Sequence, residues 1–240
     1  MLRISLSVIT FYLCLHYTYQ CKIVDGETSE SDSNYDILIL SQEWPVTICK
    51  YFINNMNGTG CKFPKQKNRW TVHGIWPMKF HAEHNFCNNT WEFDPKEISS
   101  IEDELQEAWI EVYNDTDPYN FWRHEWKKHG TCATDLEAFN SQLKYFSKGM
   151  EWNKQYVISD MLEAANLFPD DSKEYDREDF VNAVQAKTGK TAQVGCFVIN
   201  GVTYLEELRI CFDKQLNMID CLTPAIPGVC GYKVIYPANA

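Results

Sequence analysis

The chain has 240 residues, of which 45% are hydrophobic, 14% aromatic and 23% charged. This composition is ordinary for a globular protein with a sizeable core, and it excludes disordered, collagen-like and coiled-coil proteins. The formal net charge of −11 excludes a broad basic face for nucleic acid, so any chemistry on nucleic acid requires a local site. The length favours a single large domain.

An apolar stretch near the N-terminus indicates the compartment. Residues 4–15 are apolar apart from two serines and one threonine, and an arginine precedes them. A stretch of this length suits a secretory signal and is too short to span a bilayer. We therefore expect residues 1–21 to be a signal peptide, cleaved near Gln20 or Cys21. The mature chain is expected outside the cell or in the lysosomal or endosomal lumen.

The cysteines and sequons agree with that compartment. Ten cysteines are many for a cytosolic protein of this size, and eight of them follow residue 21. An even number suits a disulfide framework, although about a hundred pairings are open at this stage. No C-x-x-C pair occurs, which argues against a zinc cluster. Three N-x-T sequons predict glycosylation at Asn57, Asn88 and Asn114.

Hydrophobic patterning predicts the elements in chain order. Residues 22–34 are acidic, lack apolar anchors and are predicted to be a flexible leader. The elements that follow are a strand at 35–40, a polar loop at 54–69, a strand at 70–75 that stops before Pro77, helices at 101–113, 119–128, 135–146, 155–167 and 176–187, and strands at 193–199 and 203–212. Asn200-Gly201 predicts a tight hairpin between the last two strands. Strands at both ends of a helical middle predict one α+β domain over residues 35–240.

Four titratable side chains share one face at the end of the predicted helix at 119–128. With successive residues about 100° apart, His124, Glu125, Lys128 and His129 fall within an arc of about 140°. Two imidazoles, a carboxylate and an ammonium on one face suit proton transfer beside an anion. The alternative is a solvated face with salt bridges, which is what most charge runs are. The aromatic residues and the cysteine around this face favour a partly buried cluster.

A metal site is a second alternative for the same segment. A zincin motif needs two histidines at i,i+4 on one helical face. His124 and His129 are spaced i,i+5, so their imidazoles diverge by about 140°. Lys128 also places a cation where Zn²⁺ would be repelled. The sequence therefore predicts chemistry without a metal ion or another cofactor.

The second unusual segment surrounds His73 in the second predicted strand. Strand alternation would point His73 and Ile75 to one face and Val72 and Gly74 to the other. Gly74 would let the backbone approach a ligand or another strand closely. Taken separately, a strand histidine is more often an ordinary core residue than a catalyst, and the same holds for Trp76 as a platform for a base.

Taken together, the two segments resemble the two histidine boxes of the ribonuclease T2 family. Residues 73–77, His-Gly-Ile-Trp-Pro, match the first box. Residues 124–132, His-Glu-Trp-Lys-Lys-His-Gly-Thr-Cys, match the second box along its length. Residues 38–49 are similar to the opening strand of the family and residues 207–213 to its late strand. The resemblance covers nearly the whole mature chain as one domain, roughly residues 35–230.

The resemblance implies an α+β domain with a central, mostly antiparallel sheet flanked by helices, and an enzyme that cleaves single-stranded RNA without metal. The ribose 2′-OH attacks the adjacent phosphorus and leaves a 2′,3′-cyclic phosphate, which is then hydrolysed to a 3′-phosphate. His129 is implied as the base and His73 as the acid, although the two roles could be exchanged. Lys128 and Glu125 would stabilise the phosphorane, and His124 would bind phosphate. A monomer that does not associate with membranes is expected.

The base-binding side is less well defined by the resemblance. Trp76 is implied to stack on one base, which is worth about 1–3 kcal/mol in such sites. Met78 stands where the family often has a polar residue, so the base preference stays open. His81 and His84 lie in a predicted loop and are expected to be exposed to solvent.

The resemblance also implies a disulfide pairing and a working pH. The implied bonds are Cys49–Cys61, Cys87–Cys132, Cys196–Cys230 and Cys211–Cys221. Loss of residues 1–21, with their single arginine, makes the net charge −12, which repels RNA at neutral pH. The repulsion between the chain and RNA is weaker at acidic pH, so an acidic pH optimum of activity is expected. The alternative functions are a metal-dependent hydrolase, or a secreted glycoprotein of this fold that signals or binds through its surface, with catalysis incidental.

Overall fold

The computed structural model describes most of the predicted domain, at residues 35–66, 68–80, 84–114, 116–223 and 230–240. The predicted signal peptide at 1–21, the predicted leader at 22–34 and His81 lie outside the described residues. Within the described part of the chain, no helix is long and apolar enough to cross a membrane.

Strands and helices follow one another along the described chain, with short 3-10 helices between some of them. The elements are β1 (Ile37–Glu43), α1 (Pro45–Asn55), β2 (Thr71–Met78), α2 (Glu102–Ala108), α3 (Pro118–Lys128), α4 (Gln142–Gln155), α5 (Ile158–Ala164), β3 (Glu174–Asp176), α6 (Arg177–Thr188), β4 (Gln193–Ile199), β5 (Val202–Phe212), β6 (Met218–Ile219) and β7 (Lys233–Ile235). The 3-10 helices are Pro95–Ile101, Gly130–Cys132 and Glu137–Phe139.

The strands form one sheet in the order β2-β1-β5-β7-β3, and β4 and β6 also pair with β5. All pairs are antiparallel except β5 with β7, which meet in parallel at Tyr204 and Ile235. Aromatic and aliphatic side chains from the sheet, α2, α3, α4, α5 and α6 share one buried core. The predicted α+β domain with a mostly antiparallel sheet is therefore confirmed.

Several predicted elements have the expected place. The helix at 119–128 corresponds to α3, and the helix at 176–187 corresponds to α6, which ends at Gly189 with φ +71°. The hairpin between β4 and β5 turns at Asn200 and Gly201, both with positive φ. A two-residue turn with left-handed backbone matches the twist of the flanking strands, which explains why this sequence signal is reliable.

The helix predicted at 101–113 is wrong in its second half, since α2 ends at Ala108. Trp109 leaves the helix with φ −139°. Its indole N–H then donates to the carbonyl of His73 at 2.8 Å, and its ring packs against Gly149. These partners lie far away in the sequence, so a tertiary contact ends a helix that local periodicity would continue.

The helix predicted at 135–146 is right only in its last turn, because α4 covers Gln142–Gln155. Ser141 caps the N-terminus of α4, where its hydroxyl accepts the N–H of Lys144 at 3.2 Å. The helix predicted at 155–167 is shorter in the structure, because residue 155 is the last residue of α4 and α5 covers only Ile158–Ala164.

The expectation that residues 38–49 form the opening strand is wrong in its last part, because β1 ends at Glu43 and helix α1 begins at Pro45. Pro45 at its first turn and a buried face with Ile48, Cys49 and Phe52 stabilise it instead.

The prediction that Pro77 ends the second strand is wrong. β2 continues through Pro77, which lies opposite Leu38 of β1, to Met78. Within the described sheet, β2 lies at one end of the strand order. Proline is tolerated there because its missing N–H removes no hydrogen bond to a further strand.

The four disulfide bonds pair as the resemblance implies. They are Cys49–Cys61, Cys87–Cys132, Cys196–Cys230 and Cys211–Cys221. Cys87–Cys132 joins the loop after β2 to the turn after α3, so it connects the two histidine-containing segments.

The three predicted glycosylation sites lie in loops. Asn57 and Asn114 are exposed. Asn88 is half-buried, and its side-chain oxygen accepts hydrogen bonds from the N–H and the hydroxyl of Thr90 at 3.0 and 2.7 Å. Glycosylation at these positions stays a prediction.

Candidate active site

His73 lies at an irregularity in β2 that reorients its side chain. Gly74 of β2 pairs with Ser41 and Val72 pairs with Gln42, so His73 has no partner across the pair with β1. An extra residue of this kind is a β-bulge, which re-aims side chains and is common beside active sites.

The bulge makes the predicted alternation of β2 wrong. Val72 and Ile75 are both fully buried in the main core rather than on opposite faces. His73 and Trp76 instead lie together, with ring centroids 5.0 Å apart and ring planes nearly perpendicular. The bulge therefore brings two side chains of the first box to the same side of the sheet.

Two side chains from the helical layer hold the backbone of this bulge. Trp109 donates its indole N–H to the carbonyl of His73, as described above. The hydroxyl of Tyr145 in α4 donates to the carbonyl of Ile75 at 3.0 Å and accepts the N–H of Ile75 at 3.3 Å. Side chains thus replace the hydrogen bonds that a neighbouring strand would make, and they fix the position of His73.

Glu125 reaches β2 from α3 because Gly74 leaves room for it. The carboxylate is almost fully buried, with 1% exposure, and Oε2 accepts the indole N–H of Trp76 at 3.0 Å. A Cβ on Gly74 would collide with Oε2 of Glu125 and Nε1 of Trp76. The close approach predicted at Gly74 is made in this structure by these two side chains.

His129 caps the C-terminus of α3 and turns toward the same place. Its N–H donates to the carbonyl of Glu125 at 3.0 Å, and its ring lies 5.4 Å from the ring of Trp76. The residue is 7% exposed, and Nδ1 is buried with no hydrogen-bond partner among the described residues. Burial, followed by the charge of Lys128, lowers the pKa of His129 to about 2, so the imidazole is neutral.

The remaining predicted residues gather around Glu125. Oε1 of Glu125 lies 3.8 Å from Nε2 of His73 and 4.0 Å from Nε2 of His124. His124 is half-exposed, and burial together with the charge of Lys128 lowers its pKa. Burial raises the pKa of Glu125 to about 7, against the opposing effects of His73 and Trp76. We refer to His73, His124, Glu125, Lys128 and His129 as the histidine cluster.

Two glutamates of the sheet contact His73 and an arginine holds one of them, and sequence patterning alone does not identify these three residues. Nδ1 of His73 is hydrogen-bonded to Oε1 of Glu207 in β5 and lies 3.5 Å from Oε2 of Glu43 in β1. Arg209 donates from Nε and Nη2 to Oε2 of Glu207 at 2.8 and 2.7 Å. The available signal in the sequence is the pair of adjacent glutamates, Glu206 and Glu207, inside a mostly apolar strand, because buried carboxylates are rare unless paired.

Burial and the neighbouring Glu207 together determine the charge of His73. Burial disfavours the imidazolium, but the charge and hydrogen bond of Glu207 outweigh it and raise the pKa of His73 to about 10. His73 and Arg209 in turn lower the pKa of Glu207 to about 2, although burial alone would raise it. The site therefore pairs a charged histidine, His73, with a neutral one, His129.

Trp76 is more buried than a platform for a base would be. It is 8% exposed, and the guanidinium of Arg209 lies 4.7 Å from the centre of its ring. Its indole N–H is bonded to Glu125, and its ring contacts the rings of His73 and His129. Trp76 thus forms a wall that both catalytic candidates touch, and the predicted stacking on a base stays a prediction.

Met78 and His84, which the sequence analysis places beside the first box, lie near the histidine cluster. Met78 is 40% exposed at the end of β2, where the resemblance places base recognition. His84 is half-buried against the loop disulfide, not fully exposed as predicted. His84, Cys87 and Cys132 bring their ligand atoms within 4.8 Å, but the two sulfurs are bonded to each other and offer no thiolate to a metal.

Comparison with known proteins finds similarity to one family. The model of the ribonuclease T2 family matches residues 35–221. Ribonuclease T2 of Sus scrofa is 32% identical over 205 residues, which is 83% of this chain and 96% of that protein. The crystal structure of human RNase T2 superposes with a TM-score of 0.72 at 29% identity, covering 85% of this chain and 99% of that one.

A solved structure with a bound nucleotide is similar as well. A mutant of RNase MC1, a protein from bitter gourd seeds, superposes with a TM-score of 0.73 at 26% identity, covering 85% of this chain and 99% of that one, and that protein is in complex with 5′-UMP. With the fold, both histidine boxes and all four disulfide bonds in place, the chain belongs to the ribonuclease T2 family of endoribonucleases.

Proposed function

We propose that the chain cleaves single-stranded RNA without a metal ion, by attack of the ribose 2′-OH on the adjacent phosphorus. The bond from phosphorus to O2′ forms, the bond to the 5′-oxygen breaks, and a 2′,3′-cyclic phosphate is left, which water then opens slowly to a 3′-phosphate. One observation carries the proposal: a neutral histidine, His129, and a charged histidine, His73, both lie against the ring of Trp76. Transesterification needs this pair, because one group must accept a proton while another donates one.

His129 is the base in this proposal. Its imidazole is neutral, so a ring nitrogen has a lone pair that can accept the proton of the 2′-OH. A phosphate bound nearby would offset the positive charges of Lys128 and His73, which hold its pKa down. Substrate binding would thus raise the proton affinity of His129 toward the range in which a general base works best.

His73 is the acid. It carries its proton at neutral pH, and Nε2 points toward Glu125 on the side of the histidine cluster. An imidazolium in this place protonates the departing 5′-oxygen, which otherwise leaves as an alkoxide. This assignment agrees with the roles that the family resemblance implies for His73 and His129.

Glu125, Lys128 and His124 would bind and stabilise the phosphorane. Lys128 supplies a positive charge beside the charge that builds on the nonbridging oxygens. Below pH 7, Glu125 holds a proton because burial raises its pKa, so it can donate a hydrogen bond to one of these oxygens. His124 is half-exposed at the edge of the cluster, where it can contact a neighbouring phosphate.

The chemistry is tested with an oligoribonucleotide that carries a single 2′-deoxy sugar, in excess EDTA. Cleavage should occur along the strand and leave cyclic phosphate ends, but the bond after the deoxy sugar should survive because the nucleophile is missing. Cleavage of the bond after the deoxy sugar would refute the proposed mechanism. Complete loss of RNA cleavage in EDTA would refute it as well. Absence of any cleavage by the folded protein would favour the glycoprotein alternative, which acts through its surface.

Activity is expected to fall as the pH rises through about 7. The folded pKa of Glu125 is raised to about 7, so its proton is present below that pH and lost above it. Above that pH, each further pH unit should lower kcat/KM about tenfold, because one essential proton is lost. Profiles from pH 4 to 9 at constant ionic strength measure this, since RNA repulsion by the acidic chain depends on salt.

Glu125→Gln is the matched variant, because an amide donates a hydrogen bond but does not titrate. This variant should be slower overall but should lack the decline at about pH 7. If wild type and variant decline at the same pH, another group is responsible for the acidic optimum.

Removal of the Cys87–Cys132 bond is expected to lower both stability and activity. Replacing both cysteines by serine should lower the free energy of unfolding by roughly 4 kcal/mol, since the bond closes a separation of 45 residues. RNA cleavage should also fall, because the bond holds the turn after His129. The same change at Cys49 and Cys61, separated by 12 residues, should cost roughly 3 kcal/mol and leave kcat nearly unchanged in the folded protein. Urea unfolding and initial rates measure both effects.

We also propose that the chain passes through the secretory pathway and acts as a monomer, outside the cell or in an acidic lumen. The predicted signal peptide, the three sequons and the four disulfide bonds support this route. A glycosidase-sensitive band in the culture medium of expressing cells would test it, and retention in the reducing cytosol would contradict it.

A further inference from the structure

The mechanism above uses only one nitrogen of His73, and the other nitrogen faces the sheet. Nδ1 is hydrogen-bonded to Oε1 of Glu207, and Glu43 approaches it at 3.5 Å. Both carboxyl groups are almost fully buried, with side-chain exposures of 2% and 6%. Neither lies where RNA would contact it, so any effect on cleavage must act through His73.

Arg209 distinguishes the two carboxyl groups. It binds Oε2 of Glu207 through Nε and Nη2, while Nη1 donates to Oε1 of Gln193 at 3.1 Å. A carboxylate held by two N–H groups of a guanidinium stays ionised and keeps one orientation. Burial instead raises the pKa of Glu43 to about 8, so Glu43 is neutral at pH 7.

We propose that Glu207, held in place by Arg209, is the positioning residue for His73: it accepts the Nδ1 proton and so fixes the ring with the Nε2 proton directed to the leaving 5′-oxygen. The inference rests on the proposed role of His73 as the acid. It also extends the site beyond the histidine cluster. A series of hydrogen-bonded side chains then holds the acid His73 in place, from Gln193 through Arg209 to Glu207.

Other charged groups surround His73, and they do not take the place of Glu207. Glu125 approaches Nε2 rather than Nδ1, and only to 3.8 Å. Burial, followed by the charge of Glu207, raises the pKa of Glu206 well above its usual range, which disfavours the charged form of this residue. The described elements around His73 supply the following titratable and charged groups. They are Glu43 from β1, Glu206, Glu207 and Arg209 from β5, His124, Glu125, Lys128 and His129 from α3 and its end, and Glu111 from the segment after α2.

Two consequences follow for the acid. The hydrogen bond at Nδ1 keeps the ring from rotating, so the Nε2 proton does not have to find its direction at each turnover. The negative charge of Glu207 keeps the ring protonated between turnovers. Removing that charge while keeping the shape should lower the pKa of His73 by about 1–3 units, as for loss of one nearby opposite charge.

The test uses Glu207→Gln in the full mature chain, with Glu206→Gln as the matched control one residue away. The pKa of His73 is read from the ¹⁵N shifts of its ring, assigned by comparison with His73→Ala. We expect a clear decrease in Glu207→Gln and almost none in Glu206→Gln. For RNA cleavage, kcat should fall about tenfold or more with KM nearly unchanged, because the group orients the acid and does not touch RNA.

Three results would overturn the inference. An unchanged pKa of His73 in Glu207→Gln, with activity lowered equally at all pH values, would show that Glu207 is merely structural. An equal decrease in Glu43→Gln would show that Arg209 does not select the partner. A neutral His73 in the wild type at pH 7 would refute it without any variant, which matters if Glu207→Gln does not fold. The measurements of the His73 pKa do not depend on RNA cleavage, so they still test the link between Glu207 and His73 if the 2′-deoxy test refutes the proposed cleavage.

Discussion

Replacing His129 by alanine is expected to lower the rate of RNA cleavage by about 10²–10⁴-fold, because one positioned proton acceptor contributes that much. The ring is buried against Trp76 and carries no structural hydrogen bond at Nδ1 within the described residues, so its loss should affect chemistry more than folding. Single-turnover cleavage of a short RNA at pH 5 measures the effect. His73→Ala should lower the rate of RNA cleavage by a similar factor, because no acid then protonates the leaving 5′-oxygen.

The two losses should not add in the double variant. Base and acid act on one transition state as a unit, so the double variant should be little slower than the worse single variant. His84→Ala is the control, because His84 lies against the loop disulfide and outside the histidine cluster. It should keep wild-type activity within about threefold, as expected for a change away from the reacting atoms. If His129→Ala keeps its activity while folded, the assignment of the base is wrong.

Gly74→Ala has the second largest expected effect, although it adds a single methyl group. The new Cβ would overlap Oε2 of Glu125 and Nε1 of Trp76, so the hydrogen bond between them must break or α3 must shift. Overpacking of this kind costs about 1–3 kcal/mol of stability. A displacement of about 1 Å in a catalytic group costs about 10²-fold in rate, so activity should fall further than stability.

Gly231→Ala is the matched control for this change. A Cβ there has its nearest neighbours at 3.7 Å, which is ordinary van der Waals contact. Thermal unfolding and kcat should therefore be close to wild type in Gly231→Ala and both lowered in Gly74→Ala. Normal kcat in Gly74→Ala would mean that Glu125 does not need its present place for catalysis.

Burial of Trp76 changes how the first box is understood. A base could reach only the small exposed part of its ring, whereas the buried part contacts Arg209, Glu125, His73 and His129. The structure therefore supports a role for Trp76 in arranging the cluster. Its predicted stacking is tested by nucleotide affinity in Trp76→Phe, which keeps an aromatic face but cannot bind Glu125.

The sequence by itself determined the features of this protein that depend on local patterns. Helix α3 and the face shared by His124, Glu125 and Lys128 follow from a spacing that any regular helix imposes. The hairpin at Asn200-Gly201 follows from the backbone that only a few residues adopt easily. The two histidine boxes identified the family, and with it the pairing of the eight cysteines, because each is a run of residues readable without any distant contact.

Only the tertiary structure decided what depends on contacts between distant residues. The bulge that turns His73 needs the register between β1 and β2, and the early end of α2 needs the contacts of Trp109 with β2 and α4. The charge of His73 needs Glu207 and Arg209, which lie more than 130 residues further along the chain. Periodicity carries no information about such partners, since pairing across a sheet is set by packing and buried charge rather than by neighbours in sequence.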